Sequence, residues 1–187
     1  MAFRIHLLFI TTILFLLSFY DANGFVTNQK QLRIASFSWQ NCGPASDPIQ
    51  IRSLSVTPDP IQVPGNITID LSVNVASTIP DDIHVAVTME RKVGGFFVKI
   101  PCIDNFGSCT YGDLCKDWAE VCPKYFEKYG IPCSCPIPPK TYAVQDASFP
   151  ITGKLPSVSD GDYRITGDLA SSTAHLGCIK LQIALKS

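Results

Sequence analysis

The sequence is poor in charge, and the charges it has nearly cancel. Charged residues make up 17% of the 187 residues, and 15 Lys and Arg stand against 16 Asp and Glu. Such a balance provides no basic surface of the kind that binds nucleic acid, and no polybasic segment for anionic membranes. We therefore expect no nucleic-acid partner, and we expect any transient contact with a membrane surface to be apolar.

Histidine is scarce, and the signatures of common enzymes are missing. Of three histidines, only His84 and His175 lie beyond the N-terminal segment, and no cysteines stand in a C-x-x-C pair, so a zinc site is not expected. No G-x-S-x-G, P-loop or H-E-x-x-H motif occurs. We interpret both histidines as solvated and predict no catalytic residue, metal or cofactor. A secreted lipid hydrolase is the enzyme alternative.

The longest apolar run lies at the N-terminus. It extends over about 16 residues from Ile5 to Tyr20 behind Arg4, which is shorter than the roughly 20 residues of a membrane-spanning helix. Small residues at Ala22 and Gly24 suit cleavage, so residues 1–24 are predicted to be a secretory signal peptide. Residues 25–187 are then expected to form a single domain.

Alternation with a period of two dominates the rest of the chain. It is clearest in Asn66 to Thr78 and in Ile83 to Met89, and such alternation is typical of half-buried strands. Gly94 and Gly95 predict a tight hairpin leading into Phe96 to Ile100. Further strands are indicated around Tyr163 to Leu169 and Ile179 to Leu185, with weaker candidates at Ile34 to Trp39 and Ile49 to Val56. The pattern predicts an all-β antiparallel sandwich, barrel or cup.

One short helix is predicted in the middle of the chain. Thr110 is the expected cap, Leu114, Trp118 and Val121 fall on one side, and Pro123 is expected to end the helix. The alternative is a disulfide-pinned loop with a single turn. The following residues up to Pro139 are rich in cysteine and proline, and they predict an irregular segment held by cross-links.

Eight cysteines in an exported chain predict four disulfides, although 105 pairings are formally open. Cys42 and Cys178 stand far from the other six and are candidates to pair with each other. Asn66 begins the single N-x-[ST] sequon, Asn-Ile-Thr, and is a predicted glycosylation site.

Short sequence segments in a particular order carry a family resemblance. They are Ser36–Cys42 (SFSWQNC), Ile51–Leu54 (IRSL), Pro58–Ile61 (PDPI), Val63–Asn66 (VPGN), Lys99–Cys102 (KIPC), Gly107–Thr110 (GSCT), Tyr129–Cys133 (YGIPC) and Leu176–Lys180 (LGCIK). In this order and spacing the chain resembles the ganglioside GM2 activator group of the ML-type lipid-recognition family. The resemblance covers nearly all of the chain after the signal segment.

The resemblance implies a fold, a disulfide pattern and a function. The fold is a β-cup that encloses an apolar lipid cavity, with one short helix and four disulfides. The implied pairs are Cys42–Cys178, Cys102–Cys109, Cys115–Cys135 and Cys122–Cys133. Members of the group extract a ganglioside or related glycolipid from a lysosomal membrane and present it to β-hexosaminidase A, without hydrolytic chemistry of their own. The implied location is the secretory pathway and the lysosome, or the extracellular space.

The lipid-contacting residues are a separate prediction. Phe96 and Phe97 follow the glycine turn and are expected at a rim, where at least one would meet lipid. Trp118 is a second rim candidate, and Tyr142, Phe149 and Leu155 lie in the family's other rim region. The segment between Cys115 and Cys122 is shorter than in vertebrate members. A carrier or sensor of a sterol, phospholipid or microbial glycolipid is therefore the second hypothesis.

Overall fold

The computed structural model describes residues 36–151 and 160–186. The predicted signal peptide (residues 1–24), the beginning of the weak strand candidate at Ile34 and the rim candidate Leu155 lie outside the described residues. The described elements, in chain order, are β1 (Ser38–Asn41), β2 (Ile49–Thr57), β3 (Ile61–Gln62), β4 (Gly65–Val75), β5 (His84–Val93), β6 (Phe96–Lys99), β7 (Thr110–Tyr111), α1 (Leu114–Tyr125), a 3-10 helix (Glu127–Tyr129), β8 (Lys140–Ile151), β9 (Gly161–Ala170) and β10 (His175–Lys186).

The strands form two sheets. The larger sheet has the order β1-β10-β9-β5-β6, with β7 added on β5 and β3 added on β10. The smaller sheet has the order β2-β4-β8. All strand pairs are antiparallel except β3 with β10, which confirms the predicted all-β, antiparallel fold class. Among the described residues, no helix is long and apolar enough to cross a membrane.

Alternation along β4 positions the interior of the smaller sheet. Leu71, Val73 and Val75 turn one face of this strand toward the larger sheet, as their period of two predicts. Asp70 lies on the other face, where its carboxylate accepts hydrogen bonds from the Ser55 hydroxyl and the Asp146 amide at 2.9 and 2.8 Å. These bonds hold a β-bulge in β8, because the register of β4 with β8 shifts between Ile69 and Leu71.

The glycine hairpin is confirmed. Gly94 and Gly95 connect β5 to β6 with φ angles of 57° and 94°. A two-residue hairpin of this kind needs positive φ at its central positions, and glycine adopts it without steric cost. The hairpin fixes the register in which Val93 lies opposite Phe96 and Lys92 lies opposite Phe97.

The helix is present, but its predicted ends are wrong. Thr110 does not cap it, because the Thr110 backbone pairs with Ala86 of β5 as part of β7. The helix begins at Leu114, after Asp113 turns the chain with φ 57°. Pro123 lies inside the last turn rather than at the end, since proline removes only its own N–H and the Phe126 amide still donates to the Cys122 carbonyl at 2.7 Å.

Strand β8 was not predicted. It pairs with β4 over its whole length, and it carries Tyr142, Val144 and Ala147 into the interior, where they are nearly inaccessible to solvent. Its alternation is broken by the bulge, in which Asp146 adopts φ 52°. A pattern with a period of two cannot be followed through an extra residue.

Four disulfides cross-link the described residues: Cys42–Cys178, Cys102–Cys109, Cys115–Cys135 and Cys122–Cys133. This is the pairing that the family resemblance implies. The first joins the β1 end to β10 across a sequence separation of 136 residues. The last two attach α1 to the segment that follows it.

We predict that removing Cys42–Cys178 destabilises the protein far more than removing Cys102–Cys109. On the chain-entropy model the long loop contributes about 5 kcal/mol and the short one about 2.5 kcal/mol. The paired Cys→Ser variants are compared by urea unfolding at equal protein concentration. An equal loss of unfolding free energy in both variants would contradict this account of the disulfides.

Candidate functional site

A cavity of about 490 Å³ lies between the two sheets and beneath α1. The smaller sheet contributes side chains of β2, β4 and β8, the larger sheet contributes Leu169 of β9, and the remaining wall comes from the segments around α1. The lining residues are Ile49, Leu71, Val73, Val75, Ile79, Ile83, Leu114, Cys115, Asp117, Trp118, Val121, Phe126, Ile131, Cys135, Ile137, Tyr142, Val144 and Leu169. Asp117 is the single charged residue among them.

The polar atoms of the lining residues Tyr142 and Trp118 are hydrogen-bonded to backbone carbonyls. The Tyr142 hydroxyl donates to the Pro138 carbonyl at 2.8 Å, and the Trp118 indole N–H donates to the Pro132 carbonyl at 2.8 Å. Burial raises the pKa of the Tyr142 phenol, so this side chain stays neutral. The aromatic rings therefore present carbon atoms to the cavity. A bound apolar molecule would leave few polar groups of the wall without a hydrogen bond.

The α1 face that closes the cavity is the predicted one. Leu114, Trp118 and Val121 all line the cavity, although Val121 is also 45% exposed to solvent. A residue that borders both cavity and solvent marks the place where the two meet. The opening therefore lies beside α1.

An aromatic cluster continues from this opening. Phe126 lines the cavity and packs against Trp118 with ring centroids 5.0 Å apart, and against Phe149 at 5.4 Å. Tyr125 also contacts Phe149, at 5.0 Å. Phe149 thus reaches the cavity wall through Phe126 rather than directly.

Phe96 and Phe97 point to opposite faces of the larger sheet. Val85 pairs with the cavity-lining Leu169, and directly paired residues share a face. Two-residue steps along β5 carry that interior face to Val93 and to its partner Phe96. Phe97 lies on the exterior face, where the guanidinium of Arg164 sits 3.8 Å from its ring centroid.

The interior face of the larger sheet thus extends beyond the cup as exposed apolar surface. Phe96 is 78% exposed, and Val93, Val98 and Ile103 are each more than half exposed. We call these four residues the apolar lip. Val93, Val98 and Ile103 line one shallow groove together with Arg91 and Lys99. Large apolar side chains that are exposed close together are a feature of contact sites.

The structure places the predicted site residues in three groups. Trp118 and Tyr142 line the cavity, and Phe149 packs behind Phe126. Phe96 belongs to the apolar lip, while Phe97 lies on the exterior face. Asn66 is exposed near the start of β4, opposite Pro150. Sequence reasoning missed Phe126 as a cavity residue, and it identified Val121 only as part of a helix face. The sequence signal for Val121 was its spacing from Leu114 and Trp118.

Fold and cavity together define a β-cup class, in which two antiparallel sheets are held apart around an apolar hollow. The family model described as "ML domain" matches residues 36–185, and the chain belongs to this family.

Two proteins called ganglioside GM2 activator are similar to the chain over 162 residues. The one from Macaca fascicularis is 38% identical, covering 82% of this chain and 85% of the relative. The one from Mus musculus is 36% identical, covering 82% and 84%. Among solved structures, chicken MD-1 complexed with lipid IVa matches with a TM-score of 0.45 and 14% identity, over 79% of this chain and 88% of that chain.

We predict that the cavity accepts a larger side chain without loss of stability. Overpacking a filled core costs about 1–3 kcal/mol. Val73→Phe directs its larger ring into the cavity, where it overpacks nothing, so it is expected to cost less than about 1 kcal/mol. Ala147→Leu, at a buried position of β8 that does not border the cavity, is the control and should cost the full amount. Equal costs in urea unfolding would show that the interior is filled.

Proposed function

We propose that this protein binds and transfers a lipid whose hydrocarbon chains occupy the cavity. The observation that carries the proposal is the cavity itself, with about 490 Å³ of space and seventeen uncharged residues beside Asp117 in its lining. A space of this size lies within the range of about 300–1,000 Å³ that holds small-molecule ligands. Its walls suit a chain that has no hydrogen bonds to satisfy.

A carrier of this kind needs only to match a membrane. Each buried methylene is worth about 0.8 kcal/mol against water, and a bilayer already supplies nearly all of it. A lipid moving from bilayer to apolar cavity therefore exchanges one hydrocarbon environment for another. Because this exchange is close to neutral in free energy, both uptake and release are possible.

The finer proposal concerns the lipid and the partner. The names of the two relatives that are 38% and 36% identical to this chain over 162 residues favour a ganglioside or related glycolipid as ligand. We propose that its head group stays outside the cavity and is presented to a lysosomal β-hexosaminidase. The protein then acts as a non-enzymatic activator, reaching the lysosome through the secretory pathway.

The apolar lip is the proposed membrane contact. Val93, Phe96 and Val98 continue the interior face of the larger sheet, on which Arg91 is the charged residue beside them. Arg91 and Lys99 line the groove of the lip together with Asp104, and basic residues beside an apolar surface favour anionic leaflets. The contact is transient because the lip contains few large side chains.

The proposed activity is tested by reconstitution. Liposomes containing ganglioside GM2 are incubated with β-hexosaminidase A, with and without the purified protein, and the released N-acetylgalactosamine is measured. We expect a rise that depends on protein concentration, and no release without the hydrolase. Release by the protein alone would favour the hydrolase alternative.

Mass spectrometry of lipid that co-purifies with the protein identifies the ligand class. A glycosphingolipid supports the finer proposal. If the co-purified lipid is a sterol or phospholipid and the hydrolase is not stimulated, the lipid-carrier function is still supported and ganglioside presentation is rejected. A preparation that neither carries nor takes up any lipid would reject the carrier function itself.

We predict that Phe96→Ser slows lipid extraction from liposomes at least several-fold, whereas Phe97→Ser does not. The first substitution removes the aromatic ring of the lip, which is 78% exposed. The second removes an exterior ring under Arg164, a cation–π contact worth about 0.5–1 kcal/mol at an exposed site. Extraction is measured at equal folded concentration, verified by circular dichroism. Equal extraction rates in the two variants would reject the lip as the membrane contact.

A further inference from the structure

A group of three titratable side chains lies away from the cavity opening, where the chain enters β2 and β10. His175 Nδ1 is 2.9 Å from Asp47 Oδ1, and His175 Nε2 is 3.1 Å from Asp168 Oδ1. Asp47 precedes β2, Asp168 belongs to β9, and His175 is the first residue of β10. The imidazole thus bridges two carboxylates that are remote in sequence.

The two contacts require two protons on the ring. A carboxylate accepts hydrogen bonds only, and neutral imidazole has a single N–H. If His175 is neutral, one of its nitrogens directs a lone pair at a carboxylate oxygen. Both contacts are favourable when the ring is protonated, in which case each is a charge-assisted hydrogen bond.

The Asp47 carboxylate depends strongly on this partner. Asp47 is 7% exposed, and its second oxygen, Oδ2, has no hydrogen-bond partner. A buried carboxylate without a compensating positive charge is costly. The positive charge that the described contacts bring to Asp47 is that of His175. The energy of this corner of the protein therefore changes with the protonation of the ring.

The clamped segment carries part of the cavity wall. Ile49 lies two residues after Asp47 and lines the cavity. A Cβ atom placed on Gly177 of β10 would approach the Ile49 carbonyl to 3.0 Å, so the two backbones are in close contact there. Release of Asp47 from His175 would therefore loosen β2 from β10 at one edge of the cavity.

We propose that Asp47, His175 and Asp168 form an acid-strengthened clamp, which holds the start of β2 and its cavity wall against β10 and loosens as the pH rises. The inference does not depend on which lipid the cavity binds.

The direction of the titration agrees with the geometry. Hydrogen bonding to Asp47 is the main cause that raises the pKa of His175, aided by the charges of Asp47 and Asp168. A histidine with a raised pKa contributes stability that is complete below its unfolded value of about 6.5. That contribution disappears as the pH rises through the folded value.

Other charged groups face the clamp from the neighbouring elements. His84 of β5 and His175 both pair with Ala170, so they share one face. Lys180 of β10 lies on the face of Asp168, since Cys178 pairs with Asp168.

Asp82 accepts a hydrogen bond from the Ser172 amide at 2.8 Å, and hydrogen bonding by Ser172 lowers the pKa of the Asp82 carboxyl. His84 is thus the neighbouring histidine on this face, which makes it the control.

The test compares wild type, His175→Gln and His84→Gln in thermal unfolding at pH 5.0 and pH 8.0. Glutamine keeps a donor but cannot carry charge. We expect His175→Gln to lower the Tm by about 2–4 °C at pH 5.0, the shift that accompanies a change of roughly 1 kcal/mol in a chain of this size, and to have much less effect at pH 8.0. His84→Gln should leave the difference between the two pH values close to that of wild type.

Hydrogen exchange locates the effect. After correction for intrinsic rates, amides of residues 43–51 and 175–180 are expected to exchange several-fold faster in wild type at pH 8.0 than at pH 5.0. In His175→Gln their exchange should be fast at both. An equal loss of Tm at both pH values would reduce His175 to a structural role and overturn the proposal. Exchange in these segments that is independent of pH in wild type would also overturn it.

Discussion

A hollow interior is the constraint on which the rest of this structure depends. In engineered cores the cost of a cavity rises by about 24 cal/mol per Å³. Applied to 490 Å³, that coefficient gives about 12 kcal/mol, which is as large as the whole stability of a typical domain. The empty protein therefore cannot rely on packing across its centre. Its walls must be held by contacts within each wall and around the edges.

The structure supplies those contacts in several ways. Long antiparallel ladders hold each sheet together, and Cys42–Cys178 ties β1 to β10 at one edge. At the opening, Cys115 and Cys135 both border the cavity and are bonded to each other, so one disulfide forms part of the wall itself. Cys122, which is fully buried, secures the last turn of α1 to Cys133. A ligand that fills the hollow adds the central contacts that the empty protein lacks.

Whether a feature of this structure could be predicted depends on how far apart in sequence its interacting residues lie. Regular alternation predicted β4, β5, β9 and β10, and two glycines predicted the hairpin, because these patterns are local. Strand β8 was missed since its bulge at Asp146 interrupts the alternation. Phe96 and Phe97 could not be separated in sequence, because the face of each depends on the strand register. His175 is exposed, as the prediction of a solvated histidine requires, but its contact with Asp47 spans 128 residues and could not be predicted from the sequence.

Asp70 and His175 stabilise the folded protein over different ranges of pH. Hydrogen bonds from the Asp146 amide and the Ser55 hydroxyl lower the pKa of Asp70 from its ordinary 3.8. The stability that Asp70 contributes is therefore complete above pH 3.8 and is lost as the pH falls through the lowered value. His175, with its pKa raised from 6.5, contributes fully below pH 6.5. Both contributions are complete only between these limits, in mildly acidic solution. The β-bulge in β8 and the cavity wall at Ile49 are therefore both held most firmly within that window.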